Sequence, residues 1–133
     1  MAVLTTRRSA FRARVNGTQL FTLYGVVSVI TVNGVNAPAV AQLIAAGRWL
    51  RESRRPSSIR LETSGPRSQV TALVAAALEP GLFSEAAARD GLSSLRLLLD
   101  KPVAYTAAPD LFCLDLYRHF DIDSLSRLAF EER

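Results

Sequence analysis

The stretch from residue 57 to residue 83, SSIRLETSGPRSQVTALVAAALEPGLF, constrains the fold more than any other part of the chain. Ile59-Arg60-Leu61 alternates apolar and polar residues, the period of a half-buried strand. Ser64-Gly65-Pro66 cannot continue that strand and signals a sharp turn. Val70, Leu73, Val74, Ala77 and Leu78 then recur at i, i+3, i+4, i+7 and i+8, the stripe of a helix that Pro80-Gly81 stops. A strand, a tight turn and a helix are therefore predicted in direct succession.

The flanking segments extend this alternation. Residues 21–32, FTLYGVVSVITV, are β-branched and apolar and predict a buried strand. Asn33-Gly34 marks a turn, and Pro38 suits the first turn of a helix reaching Arg55. Val40, Leu43, Ile44, Gly47 and Leu50 form the apolar face of that helix, with Trp49 beside it, and Pro56 ends it. Arg48, Arg51, Arg54 and Arg55 load its C-terminal end, where cations complement the helix dipole. Around Phe83–Ala88 a short strand competes with an alanine-rich helix, and Asp90-Gly91 is a turn. Ser93 is placed to cap a helix through Asp100, Pro109 to start the next, and Asp123 or Ser124 to cap the last. Residues 1–20 are basic and lack a clear period, and they read as a weakly ordered arm before a single domain at 21–133. The expected fold is a small α/β domain of two or three mostly parallel strands with four or five covering helices. Strands 21–32 and 58–62 are expected as neighbours, joined by the 38–55 helix in a right-handed crossover. So small a sheet leaves exposed edges, so self-association or a partner protein domain is expected.

With 133 residues, 49% of them hydrophobic, the chain is long enough for one packed core and too apolar to be disordered. Cys113 and His119 are the only residues of their types, which excludes an internal disulfide and a cysteine zinc cluster. No metal or cofactor is expected. The sequence has no G-x-G-x-x-G and no phosphate-binding loop, so nucleotide binding has no motif support. The formal charge of +4 divides unevenly: residues 1–67 carry ten Arg against Glu52 and Glu62. The remainder carries ten acids against five Arg and Lys101. The arginines at 48, 51, 54, 55 and 60 lack interleaved aromatics apart from Trp49, so they read as a protein contact or self-contact rather than a nucleic-acid site. Asp110, Asp115, Asp121 and Asp123 offer them a complementary surface, within the chain or on a second copy.

The strand–turn–helix unit, together with further segments, resembles part of an α/β-hydrolase of the acetyl xylan esterase and dienelactone hydrolase type. The resembling residues are Ala45-Ala46-Gly47-Arg48-Trp49-Leu50-Arg51, Ile59-Arg60-Leu61, Ala72 through Pro80, and Ala108-Pro109-Asp110-Leu111. The resemblance spans about residues 40–125 and implies a partial hydrolase-like parallel sheet. In that family the turn carries G-x-S-x-G. Here it reads Ser64-Gly65-Pro66-Arg67-Ser68, and aligning Ala72-Leu73 places Pro66 at the nucleophile position. No catalytic residue carries over from the family.

Ser64 and Ser68 flank the turn and are the candidates for a displaced nucleophile, with His119 as the one available imidazole base. The plainer assignments are a turn or helix-cap serine and a surface histidine. Asp121-Ile122-Asp123-Ser124 resembles the opening of a calcium loop but lacks its glycine and closing glutamate, so helix capping is favoured. The favoured functional expectation is a non-catalytic hydrolase-like remnant with a structural or protein-interaction role. The alternative is an esterase-type serine hydrolase acting on acyl or acetylated carbohydrate substrates.

Thr6-Arg7-Arg8-Ser9-Ala10-Phe11 resembles a twin-arginine export signal, and Ala37-Pro38-Ala39 an A-x-A cleavage pattern. Arg12 and Arg14 delay the apolar run, and a proline sits in the cleavage pattern, so a cytoplasmic location is preferred over export. No uninterrupted run reaches the roughly 18 apolar residues of a membrane span.

Overall fold

A computed structural model describes residues 2–7, 10–15, 18–24, 37–100, 111 and 114–131. The N-terminal segment is a meander of three strands, β1 (Ala2–Arg7), β2 (Ala10–Val15) and β3 (Thr18–Tyr24). Then follow α1 (Ala37–Arg54), β4 (Ile59–Ser64), α2 (Pro66–Leu78) and β5 (Glu85–Arg89). Three short helices, α3 (Leu97–Asp100), α4 (Leu114–His119) and α5 (Ile122–Phe130), complete the described chain.

The five strands form one sheet in the order β3-β2-β1-β4-β5. β1–β2 and β2–β3 are antiparallel, whereas β1–β4 and β4–β5 are parallel. The fold is thus mixed α/β, with five strands in two parallel and two antiparallel pairings where two or three mostly parallel strands were expected, and it corrects the sequence expectation at two further points. Residues expected as an arm supply β1 and β2, with β3 beginning at Thr18. The strand expected at 21–32 is described only as far as Tyr24; residues 25–36 lie outside the described part. It is not a neighbour of β4, because β2 and β1 stand between them. The physical reason lies in short connections: two residues separate β1 from β2, and Asn16-Gly17 separates β2 from β3. Asn-Gly between strands is a strong hairpin signal, and hairpins close before longer-range pairings. β1 is then left with one free edge, and β4 pairs there from Ala2↔Ile59 to Arg7↔Ser64.

β4 shows why the helices cover one face. Ile59, Leu61 and Thr63 are buried, while Arg60, Glu62 and Ser64 between them are half-buried. Leu43 and Leu50 of α1, Ala72 and Ala76 of α2, and Phe83 pack with Ile59 and Leu61 in one core, so α1 and α2 lie side by side on the same face. Gly47 permits the close approach of α1 to Phe83, because a Cβ there would lie 2.8 Å from the ring. A second core joins Val70 and Leu73 of α2 to Leu95, Leu98, Ile122 and Leu125. Thr63, buried within the sheet, satisfies its hydroxyl by donating to the Ala87 carbonyl at 3.2 Å. Residues 85–89 are strand rather than alanine-rich helix, since β4 offers them a parallel ladder.

Two caps also differ from expectation. Asp121, not Asp123 or Ser124, caps α5. Ser94, not Ser93, turns the chain toward α3, its Oγ accepting from the Arg96 N–H at 3.1 Å. The start expected at Pro109 lies outside the described residues.

Candidate functional site

The turn between β4 and α2 is built on Gly65, at φ 84° and ψ 164°. That region is almost closed to residues with a Cβ. The Gly65 N–H donates to the Arg89 carbonyl at 2.8 Å, fastening the turn to the end of β5. Pro66 opens α2, where its fixed φ is suited and its missing N–H is not needed. The strand–turn–helix unit is therefore present, with Pro66 at the start of its helix.

Ser64 ends β4, half-buried, in register between Arg7 of β1 and Arg89 of β5. Ser68 lies in the first turn of α2 and is buried. His119 closes α4, exposed, and its ring meets that of Phe120 edge-on with centroids 6.5 Å apart. Among the described residues no hydrogen bond pairs His119 with Ser64 or Ser68 as base and nucleophile.

The aspartates divide. Asp110 lies outside the described residues, and Asp115 falls within α4. Asp123 is exposed and accepts from the Ser124 N–H at 2.7 Å. Asp121 is wholly engaged. Its Oδ1 accepts from the Ile122 N–H and the Leu95 N–H, each at 2.7 Å, and its Oδ2 from the Ser94 hydroxyl at 2.6 Å. Ser124 Oγ accepts from the Asp121 N–H in return, completing a capping box. Burial pushes the Asp121 carboxyl up, but the hydrogen bonds from Ser94, Leu95 and Ile122 outweigh it and hold the group below its ordinary value. Among the described residues no three His, Cys, Asp or Glu side chains converge to hold a metal ion.

The arginine strip finds its partners elsewhere than expected. Arg48 pairs with Glu79 at the end of α2. Arg51 donates to the carbonyls of Gly81 and Leu82, the latter at 3.1 Å. Arg60 Nε lies 3.0 Å from Glu85 Oε1, an ionic contact without the alignment of a hydrogen bond. α1 is thus tied to the segment that follows α2, and β4 to the first residue of β5, whereas Asp121 spends its acceptors on its own helix end and on the loop before α3.

One arrangement escaped the sequence reading. Gln69 Nε2 donates to the Leu92 carbonyl at 3.0 Å while the Leu92 N–H donates to Gln69 Oε1 at 2.7 Å. A Cβ at Gly91 would sit 2.6 Å from that oxygen, so the Asp90-Gly91 turn is what lets the loop reach the amide. The turn was legible, but nothing local linked it to Gln69. Among the described residues no helix is long and apolar enough to cross a membrane. No family model, no curated protein and no solved structure matches the chain.

Proposed function

We propose that this chain is a non-catalytic protein-interaction domain on an α/β-hydrolase-like scaffold. One observation carries the reading. The β4–α2 turn has Pro66 at its tip, Ser68 buried behind it, and the lone His119 exposed at the end of α4 with Phe120 as its ring contact. A serine hydrolase needs the opposite arrangement, an exposed hydroxyl within reach of an oriented base.

The arginines support the same reading. Arg48, Arg51 and Arg60 are spent on Glu79, the Gly81 and Leu82 carbonyls, and Glu85, so they do not form a free cationic row of the kind that tracks a phosphate backbone. A cytoplasmic location belongs to the proposal as well. Cleavage at Ala37-Pro38-Ala39 would cut into the first turn of α1 and remove β1, β2 and β3 from the sheet.

The test is hydrolysis of short-chain acyl esters and acetylated sugars by the full chain and by the Ser64→Ala/Ser68→Ala double variant. The expected result is the same background rate for both. Turnover by the wild type that the double variant loses overturns the proposal and establishes the esterase alternative.

A further inference from the structure

The edge of the sheet at β5 carries a charge pattern that is its own complement. β5 reads Glu85-Ala86-Ala87-Ala88-Arg89, with acid and base equidistant from Ala87. It is the last strand of the sheet, paired with β4 on one side, and no described strand lies on the other. The Gly65 N–H reaches the Arg89 carbonyl and the Thr63 hydroxyl reaches the Ala87 carbonyl, so the odd-numbered residues turn their backbone groups toward β4. Ala86 and Ala88, one half-buried and one exposed, therefore turn their N–H and C=O groups to the outer edge.

We propose that β5 pairs antiparallel with β5 of a second copy, about a two-fold axis at Ala87. This deepens the protein-interaction reading and rests on it. The axis sets Ala86 opposite Ala88 of the second copy, where each exchanges N–H and C=O with the other. It sets Glu85 opposite Arg89 of the second copy, and Arg89 opposite its Glu85. Both charged pairs fall at the non-hydrogen-bonded positions, where opposed side chains stand closest. A two-fold interface must be self-complementary, and this strand satisfies that requirement by sequence alone. Reversed polarity, with two parallel β5 strands, would oppose like charges at both ends. The three alanines leave the seam free of bulk, and with no proline among them β5 lacks that device for blunting an edge. Glu85 also contacts Arg60, so in the dimer its carboxylate lies between two guanidinium groups.

Sedimentation velocity of the full chain over a concentration series tests the proposal. The wild type is expected to form a weak dimer, dissociating in roughly the micromolar range for so short a seam. Arg89→Glu sets like charges opposite at both ends and is expected to weaken the dimer about tenfold. The Glu85→Arg/Arg89→Glu exchange restores opposite charges across the axis and is expected to recover most of that loss. Ala88→Pro deletes an N–H that faces the outer edge and is expected to abolish dimerisation. Thermal melting at low concentration separates lost pairing from lost folding. A wild type that stays monomeric throughout, or a dimer indifferent to Arg89→Glu and Ala88→Pro in folded variants, overturns the proposal. Either result without serine-dependent hydrolysis leaves the protein-interaction reading standing, whereas such hydrolysis defeats that reading whatever the oligomeric state.

Discussion

Asp121 joins the C-terminal helices to the loop before α3 more directly than any other described side chain. Its carboxylate accepts from Ser94, Leu95 and Ile122, so loss of the group strands two backbone donors and a hydroxyl at once. Asp121→Ala is expected to cost about 1–3 kcal/mol of stability at neutral pH, read from urea unfolding. The hydrogen bonds hold the folded-state value below the unfolded one despite the opposing effect of burial. The stabilisation is therefore complete above the unfolded value of about 3.9 and disappears as pH falls through the folded value. The gap between wild type and variant should narrow as the solution is acidified below about pH 4. A gap that stays constant through that range would show that the charged carboxylate is not what holds the loop. The aspartate run was visible in the sequence as helix-capping material, but which aspartate caps was not. The choice depends on Ser94 and Leu95, which lie 27 and 26 residues away along the chain.

Between elements, the contact of α1 with the segment following α2 decides the spacing of the helix layer. Gly47 faces Phe83 and Leu82, and Arg51 fastens the same segment through the Gly81 and Leu82 carbonyls. Helix propensity alone would make Gly47→Ala stabilising by about 1 kcal/mol. The ring of Phe83, 2.8 Å from the new Cβ and itself fully buried, reverses that sign. The expected outcome is a net loss of about 1–3 kcal/mol, measured by urea unfolding. A stabilised variant would mean that α1 and Phe83 are not in contact. Gly47 stood out in the sequence as one position on an apolar helix face. Its role as the point of closest approach required the packed partner.

For the whole molecule, the uneven charge is the property most open to measurement. The basic half and the acidic half meet through Arg48–Glu79 and Arg60–Glu85, pairs that join α1 to the end of α2 and β4 to β5. These pairs are exposed or half-exposed, so each adds little stability and serves register more than strength. The expected outcome with mixed-sequence DNA and RNA is no appreciable binding at about 0.15 M salt, tested by fluorescence anisotropy. Tight binding that falls steeply with salt would overturn the assignment of these arginines to protein contacts.

Much of this protein was legible as local pattern. The alternation of Ile59-Arg60-Leu61, the Gly65-Pro66 turn and the helical period that starts at Val70 each reflect geometry set within a few residues, and they appear in the structure as β4, the turn and α2, although the buried face of α2 runs through Ala72, Ala75 and Ala76 and leaves Leu78 exposed. Strand order was not legible. β1 stands beside β4 although more than 50 residues separate Ala2 from Ile59, and that pairing belongs to the assembled sheet rather than to either segment. The segments 2–7 and 10–15 showed no clear shared period in the sequence, and only their ladders make them strands. The arginine partners followed the same rule. Net charge announced an attraction between the halves, but Glu79 and Glu85 were chosen over the later aspartates by which ends the packed helices and strands brought together. Local periodicity is dictated by backbone geometry one residue at a time, whereas neighbours distant along the chain are selected by the burial and hydrogen bonding of the whole core.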